Sequence, residues 1–283
     1  MPSRFTIKSI RIDLLALIRS LLMGVGMIWM FIEPYEGLEN KDFHLDYWLF
    51  LLMSFVFGAV IYVIDGLLLS GYMVNRATIR NDYVTTLTVE FGDIFEKDGW
   101  TAISVSDFFN STVDEELVSS KSLHGIVLNR FWAENAADWQ RQIDNSLRSY
   151  ECETVQKRKG NKRQYPVGTT AKATVDGRKF LFVALGRADE NHVTSNNAEG
   201  LICAVRGMLT KARATCSSEP LNIPLMGAGL ARIGVKEAVL TDLIITAVLE
   251  ESRYAKVTNA IRIVLPLSLR DTINVKQYES KWS

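Results

Sequence analysis

Ile223-Pro224-Leu225-Met226-Gly227-Ala228-Gly229-Leu230-Ala231-Arg232 carries an apolar, strand-like lead-in to a loop with two glycines, and a helix-forming stretch, Val235 to Glu250, follows at once. A strand that turns through glycines into a helix gathers backbone N–H groups near a helix N-terminus. Partial positive charge accumulates there and holds a phosphate or another anion. Gly227 and Gly229 are the positions at which a side chain would keep a diphosphate away from the backbone. Arg232 is a candidate charged partner for such a group, and equally a candidate for an ordinary ion pair with an acidic neighbour.

Strand and helix patterns alternate on both sides of this loop. Thr85 to Phe91 reads as a strand ending at Gly92-Asp93, and Trp100 to Val105 as a second. Val127 to Tyr150 reads as one helix, with Trp132, Ala136, Trp139, Ile143 and Leu147 at helical spacing. Asp176-Gly177 between Ala171–Val175 and Lys179–Leu185 marks a hairpin. Asn197 to Thr215 is a helix, Leu221 to Leu225 a strand and Ala260 to Leu265 a closing strand. The pattern predicts an α/β domain over residues 81–283, a mixed sheet with helices on both faces, after a short linker at Asn75–Asp82. Ligands of open α/β sheets gather beyond the C-terminal strand ends. Three loops qualify here: 92–95, 106–125 and 227–229.

Two apolar segments precede that domain, within residues 1–80. The spans are about 12–32, interrupted by Asp13 and Arg19, and about 47–69. Both reach the ~20 residues that a membrane-crossing helix needs, so a two-helix transmembrane hairpin is expected. Arg4, Lys8 and Arg11 before it and Arg76 and Arg80 after it, against an acidic connecting loop, place both termini in the cytoplasm. Arg19 and Asp65 either pair or line a polar path, or else Arg19 snorkels and Asp65 marks the membrane boundary. Ser54 with Gly58, and Gly24 with Gly26, permit close helix approach and oligomerisation.

The charges exclude some classes. Thirty-two basic residues balance 32 acidic ones, so no global field favours nucleic acid. Cys152, Cys203 and Cys216 have no CxxC spacing and read as reduced thiols, and the three histidines are scattered, so no metal site is expected. The basic run Lys157 to Arg163 reads as a solvated hairpin tip or as a contact for anionic lipid.

The Gly92-Asp93-Ile94 strand end, the Ser122-Leu123-His124-Gly125 stretch and the Met226-Gly227-Ala228-Gly229-Leu230 loop together resemble those of a macro domain, the ADP-ribose-binding module. Its asparagine-rich and triple-glycine loops are replaced here by Val105-Ser106-Asp107-Phe108-Phe109-Asn110 and by Ser122–Gly125. These variants, with Phe109–Asp114, Tyr165–Thr169 and Ile223–Gly227, resemble the divergent macro domain of bacterial Thoeris anti-phage systems. In the membrane type of the Thoeris effector ThsA, two transmembrane helices precede that domain.

The resemblance implies a macro-like three-layer sandwich with a mixed sheet, preceded by the two-helix transmembrane hairpin. It implies a ligand-contacting set of Asp93 and Ile94; Asp107, Phe108, Phe109 and Asn110; Ser122, Leu123, His124 and Gly125; and Met226, Gly227, Ala228, Gly229, Leu230 and Arg232. Asp93 would accept from the adenine amino group; on the residues alone it reads equally as a turn cap. His124 is either a ligand contact or an ordinary loop histidine. Of Phe108 and Phe109 one is expected in the core, the other against a ring of the ligand. The further implications are a TIR-domain partner that makes an ADP-ribose-derived signal, a histidine conjugate in this subtype, and no cofactor. Homo-oligomerisation in the bacterial inner membrane, contact with its lipid, membrane disruption and death or growth arrest of the infected cell would follow. The alternative is a membrane-anchored ADP-ribosyl hydrolase or NAD-derivative-processing enzyme; the altered loops and the lack of paired carboxylates favour a non-enzyme.

Overall fold

The computed structural model describes residues 14–39, 46–71, 73–80, 85–189, 194–229 and 233–282. The chain divides into two compact units: one holds the two N-terminal helices and Asn274–Gln277, the other Arg76–Ile273 and Tyr278–Ser283.

In the first unit α1 (Leu14–Glu39) and α2 (Tyr47–Ile64) form a hairpin. Asp46 caps α2, its carboxylate accepting from the amides of Trp48 and Leu49 at 2.9 and 3.2 Å. The apolar stretches Leu14–Tyr35 and Tyr47–Leu69 have 22 and 23 residues. At 1.5 Å per residue each reaches about 33 Å, against a hydrocarbon core of about 30 Å. By length and composition both are able to cross a membrane. Leu22, Phe31, Trp48, Phe55 and Leu69 point outward, an apolar surface that water would not favour.

The inner seam of the hairpin is made of small residues. A Cβ on Gly24 would lie 2.4 Å from the Ser54 carbonyl oxygen, and one on Gly58 would lie 2.7 Å from Leu21 Cα. Ser20 and Ser54 are buried beside them. The small residues expected to serve oligomerisation are therefore used within the chain, except Gly26, whose Cβ would meet nothing within 4 Å. Of the two readings of Arg19 and Asp65, pairing is the one observed: Arg19 Nη2 donates to Asp65 Oδ2 at 2.8 Å, and Ser70 Oγ donates to Oδ1 at 2.6 Å. From Asp65 to Leu69 the helix widens to a π-turn, with the Ser70 amide reaching the Asp65 carbonyl at 2.7 Å.

The second unit is an α/β sandwich. Its strands are β1 (Arg76–Ile79), β2 (Thr86–Phe91), β3 (Trp100–Ser106), β4 (Glu153–Thr154), β5 (Arg163–Gln164), β6 (Thr170–Val175), β7 (Arg178–Ala188), β8 (Thr194–Ser195), β9 (Leu221–Pro224) and β10 (Ala260–Leu265). Its helices are α3 (Leu123–Phe131), α4 (Ala136–Leu147), α5 (Ala198–Thr215), α6 (Glu237–Tyr254) and α7 (Lys276–Trp282), which starts in the first unit. The main sheet runs β1-β2-β10-β9-β3-β7-β6, parallel from β2 to β7 and antiparallel at both edges; β8 pairs with β7. Alternation along β7 sends Phe180, Phe182 and Ala184 to one face, where they join Trp132, Trp139, Ile143 and Leu147 of the α3–α4 region in one core. The opposite face meets α5, which also packs on α6.

Three expectations need correction. The single helix expected over 127–150 is two, because Asn135 caps a fresh start by accepting from the Asp138 amide at 3.1 Å. The break lets Trp132 and Trp139 both reach the Phe180–Phe182 pair, with ring centroids 5.5 and 5.2 Å from Phe180 and Phe182 respectively. Residues 76–79, expected as linker, form an edge strand, with Ala77 and Ile79 buried and Arg76 and Thr78 exposed. Helix α6 begins at Glu237, two residues after the expected start at Val235.

Candidate functional site

A cleft of about 420 Å³ opens at the C-terminal ends of the parallel strands. Its floor is Ser104–Ser106 of β3, Leu185 and Gly186 of β7, and Pro224 and Leu225 after β9. One wall is Leu117–Ser119 with Lys121, running into the first turn of α3 at Ser122, Leu123 and His124; the other is Gly227, Ala228 and Gly229.

Each wall is held by local chemistry. Ser122 caps α3: its hydroxyl accepts from the Gly125 amide at 3.0 Å and donates to the Ser119 carbonyl at 2.7 Å. A Cβ on Gly125 would lie 2.2 Å from that same carbonyl oxygen, so only glycine lets the helix start so close to the preceding loop. Upstream, Asp114 accepts from the amides of Glu116 and Leu117, and Glu115 accepts from the Ser120 amide and the Ser119 hydroxyl. On the opposite wall Gly227 has φ +83°, a conformation that L side chains resist, whereas a Cβ on Gly229 would meet none of the described residues within 4 Å. The floor carries an irregularity. Between Val105 and Ser106 the β3–β7 register slips, so that Ser106 faces Gly186.

The helix start that lines the cleft is that of α3, through Ser122, Leu123 and His124; α6 backs the glycine loop, a Cβ on Gly227 lying 2.4 Å from Ile233 Cδ1 and 3.6 Å from Leu240 Cδ2. Partial positive charge thus comes from the α3 N-terminus, with Lys121 as a full charge nearby. His124 is only 4% exposed and packs its ring 5.3 Å from Trp139 and 6.0 Å from Phe182. Burial pushes its pKa down to about 3, so the imidazole is neutral at physiological pH.

The expected contact residues separate into groups. Ser122, Leu123, His124, Gly227, Ala228 and Gly229 line the cleft together. Gly125 and Met226 are buried directly behind them. Asp93 is exposed in the loop after β2, at the same sheet edge as the cleft, and caps a 3-10 turn by accepting from the Phe95 amide at 2.9 Å; Ile94 is buried in the core. Asp107, Phe108, Phe109 and Asn110 lie outside the cleft. Asp107 accepts from Gln164 Nε2 at 2.6 Å and from the Ala188 amide at 3.1 Å, and burial raises its carboxyl pKa. Both phenylalanines are buried, which corrects the expectation that one faces a ligand: Phe109 packs edge-on to Tyr165, and the Lys157 ammonium sits 3.3 Å from the centre of the Phe108 ring. Leu230 and Arg232 lie outside the described residues. The contributions of Ser104, Leu117–Ser119, Lys121, Leu185 and Gly186 were not singled out from sequence; a glycine inside an otherwise apolar strand, Gly186, was the available signal.

A family model described as the Macro domain of Thoeris protein ThsA matches residues 87–266, which run from β2 to β10 and include every residue lining the cleft. The chain belongs to that family. The solved structures give the Thoeris macro domain its fold. An Oceanobacillus iheyensis macrodomain with ADP aligns at a TM-score of 0.50 and 13% identity, covering 73% of this chain and 96% of that one. A mutant of the same macrodomain with ADPR aligns at 0.51 and 14%, covering 73% and 97%, and a form with MES bound at 0.50 and 14% with the same coverage. No curated protein matches. At these identities the structural likeness establishes the macro fold, a mixed sheet within an α/β sandwich, preceded here by two helices able to span a membrane.

Proposed function

We propose that the cleft binds an ADP-ribose-type nucleotide and that the chain is a ligand-gated membrane effector of Thoeris anti-phage defence. The observation that carries this reading is the convergence of the α3 N-terminus and the Gly227–Gly229 loop on one cleft at the C-terminal sheet edge of a ThsA macro domain. The volume suits a nucleotide-sized ligand. The Leu123 and His124 amides in the first turn of α3, with those of Gly227–Gly229, take the diphosphate, and Asp93 at the same edge takes the adenine amino group. Asp107, Phe108, Phe109 and Asn110 keep only the ligand-contact role that the resemblance implies. Leu230 and Arg232 keep the ligand-contact role that the resemblance implies.

In this reading a TIR-domain partner supplies the signal, an ADP-ribose derivative such as a histidine conjugate. The hairpin lies in the bacterial inner membrane with both chain termini cytoplasmic. Two helices are too few to enclose a pore, so ligand acts by favouring a homo-oligomer for which it has higher affinity, and membrane integrity fails. The described cleft wall offers four serines, Lys121 and a neutral His124, with no carboxylate to act as general base, which favours binding over hydrolysis. The test is calorimetry of the full chain in detergent with ADP-ribose and its histidine conjugate, followed by sizing. Binding with an increase in assembly size is expected. Absence of heat with both ligands refutes the ligand; binding without any change in size refutes the gating; chromatographic turnover of the ligand restores the hydrolase.

A further inference from the structure

The basic run Lys157–Arg163 forms the tip of the β4–β5 hairpin, closed by the Val155 amide on the Lys162 carbonyl at 2.8 Å. Three of its five cations are engaged within the domain: Lys157 over Phe108, Lys159 with two carboxylates, and Arg163 with Asp144 at 2.8 Å.

What the tip grips is the 107–121 loop, whose far end is a cleft wall. Lys159 Nζ reaches Asp114 Oδ2 at 2.6 Å and Glu116 Oε2 at 2.8 Å, immediately before the wall residues Leu117–Ser119. The Asn161 amide donates to Asn110 Oδ1 at 2.8 Å, and its side-chain nitrogen donates to the carbonyls of Phe108 at 3.0 Å and Phe109 at 2.7 Å. Between these two grips sits Gly160, with φ +79°. A Cβ there would lie 2.6 Å from Asn110 Oδ1 and 2.9 Å from Leu117 Cδ2. The gripped loop also holds two non-glycine residues at positive φ, Phe109 at 47° and Glu115 at 66°. Such conformations persist only where surrounding contacts over-determine them.

We infer that the β4–β5 hairpin is a clamp that positions the Leu117–Lys121 wall, so that ligand affinity depends on Lys159, Gly160 and Asn161, which do not line the cleft. The affinity half of this inference rests on the ADP-ribose reading; the clamp itself does not.

The test uses the full chain in detergent with two readouts: hydrogen exchange of the 113–121 amides without ligand, and calorimetry with ADP-ribose. In Asn161→Ala, exchange over 113–121 is expected to rise about 10-fold with β7 unchanged, and ADP-ribose affinity to fall about 5-fold. Lys159→Glu, which sets a third carboxylate against Asp114 and Glu116, weakens affinity more than Lys159→Met, although both variants lose the same ion pairs. Unchanged exchange in Asn161→Ala overturns the clamp. Faster exchange with unchanged affinity overturns its role in binding. If the unmodified chain binds no ADP-ribose, the failure falls on the ligand reading, and the exchange result alone supports or overturns the clamp.

Discussion

Gly125→Ala adds one methyl group at the point where α3 starts against its own lead-in. The new Cβ would lie 2.2 Å from the Ser119 carbonyl oxygen, 2.9 Å from its carbon and 3.0 Å from Ser120 Cα. All three are backbone atoms, so no flexible side-chain end is able to yield. Restoring ordinary contact at about 3.5 Å requires the loop or the helix start to move by about 1 Å. That movement strains the bond from the Gly125 amide to Ser122 Oγ, and loss of such a cap costs about 1 kcal/mol. Overpacking adds roughly 1–3 kcal/mol, while alanine in place of a helical glycine returns up to about 1 kcal/mol. The net is a loss of roughly 1–3 kcal/mol, or several degrees of Tm at about 2–4 °C per kcal/mol for a unit of this size.

The matched control is Gly229→Val, whose Cβ meets none of the described residues within 4 Å. Its Tm should stay near that of the unmodified chain, within about 0.5 kcal/mol, while its side chain enters the cleft. Thermal unfolding followed by near-ultraviolet circular dichroism, beside calorimetry with ADP-ribose, separates the two variants. Gly125→Ala should lose stability and binding together; Gly229→Val should lose binding alone. An unchanged Tm in Gly125→Ala refutes the argument that glycine is there for close approach.

Burial holds the folded pKa of His124 near 3, below the unfolded value of about 6.5. Below pH 6.5 the unfolded chain therefore takes up a proton that the folded chain refuses. The neutral ring's contribution is intact above that pH and falls by about 1.4 kcal/mol per unit as pH drops toward 3; urea midpoints at pH 7 and pH 4.5 should show a smaller difference in His124→Phe than in the parent. In the hairpin, where Arg19 Nη2 lies 2.8 Å from Asp65 Oδ2, a double-mutant cycle with Arg19→Ala and Asp65→Ala should give a favourable coupling of about 1 kcal/mol. Zero coupling in detergent melting curves would show that the ion pair contributes nothing.

Periodicity made the sheet legible because strands β2, β3, β6, β7, β9 and β10 are apolar or threonine-rich runs bounded by glycine, aspartate or proline, and the Asp176-Gly177 turn, with φ of 48° and 75°, uses the residues such a turn demands. The α3–α4 break was hidden because Trp132 and Trp139 keep helical spacing across it, and only the Asn135 cap reveals a new start. In the site, Ser122–His124 and Gly227–Gly229 were readable because loops at strand ends share one edge whatever their tertiary details. That Asp107, Phe108 and Phe109 are buried outside the cleft was not readable, for a different reason. Their sequence position is that of a ligand loop, but their partners Gln164, Ala188, Lys157 and Tyr165 lie more than 40 residues away, and no local pattern discloses them.

The same problem of undisclosed partners governs how the hairpin would assemble. Small residues in an apolar helix usually suggest a surface for another helix, but Ser20, Gly24, Ser54 and Gly58 already meet one another inside this chain. A second copy thus has two routes: to pack on the outer face, where Leu22, Phe31, Phe55 and Leu69 are exposed, or to open the hairpin first. Gly58→Leu distinguishes them. Its Cβ would lie 2.7 Å from Leu21 Cα and 3.0 Å from the Ser20 carbonyl oxygen, both backbone atoms, so the helices must separate. Gly26→Leu is the control, with open space at its Cβ. If assembly uses the outer face of an intact hairpin, Gly58→Leu lowers the detergent Tm and impairs ligand-dependent assembly, whereas Phe55→Ala impairs assembly with a smaller loss of Tm. If assembly proceeds through an opened hairpin, Gly58→Leu assembles without ligand, and that result refutes the outer-face route.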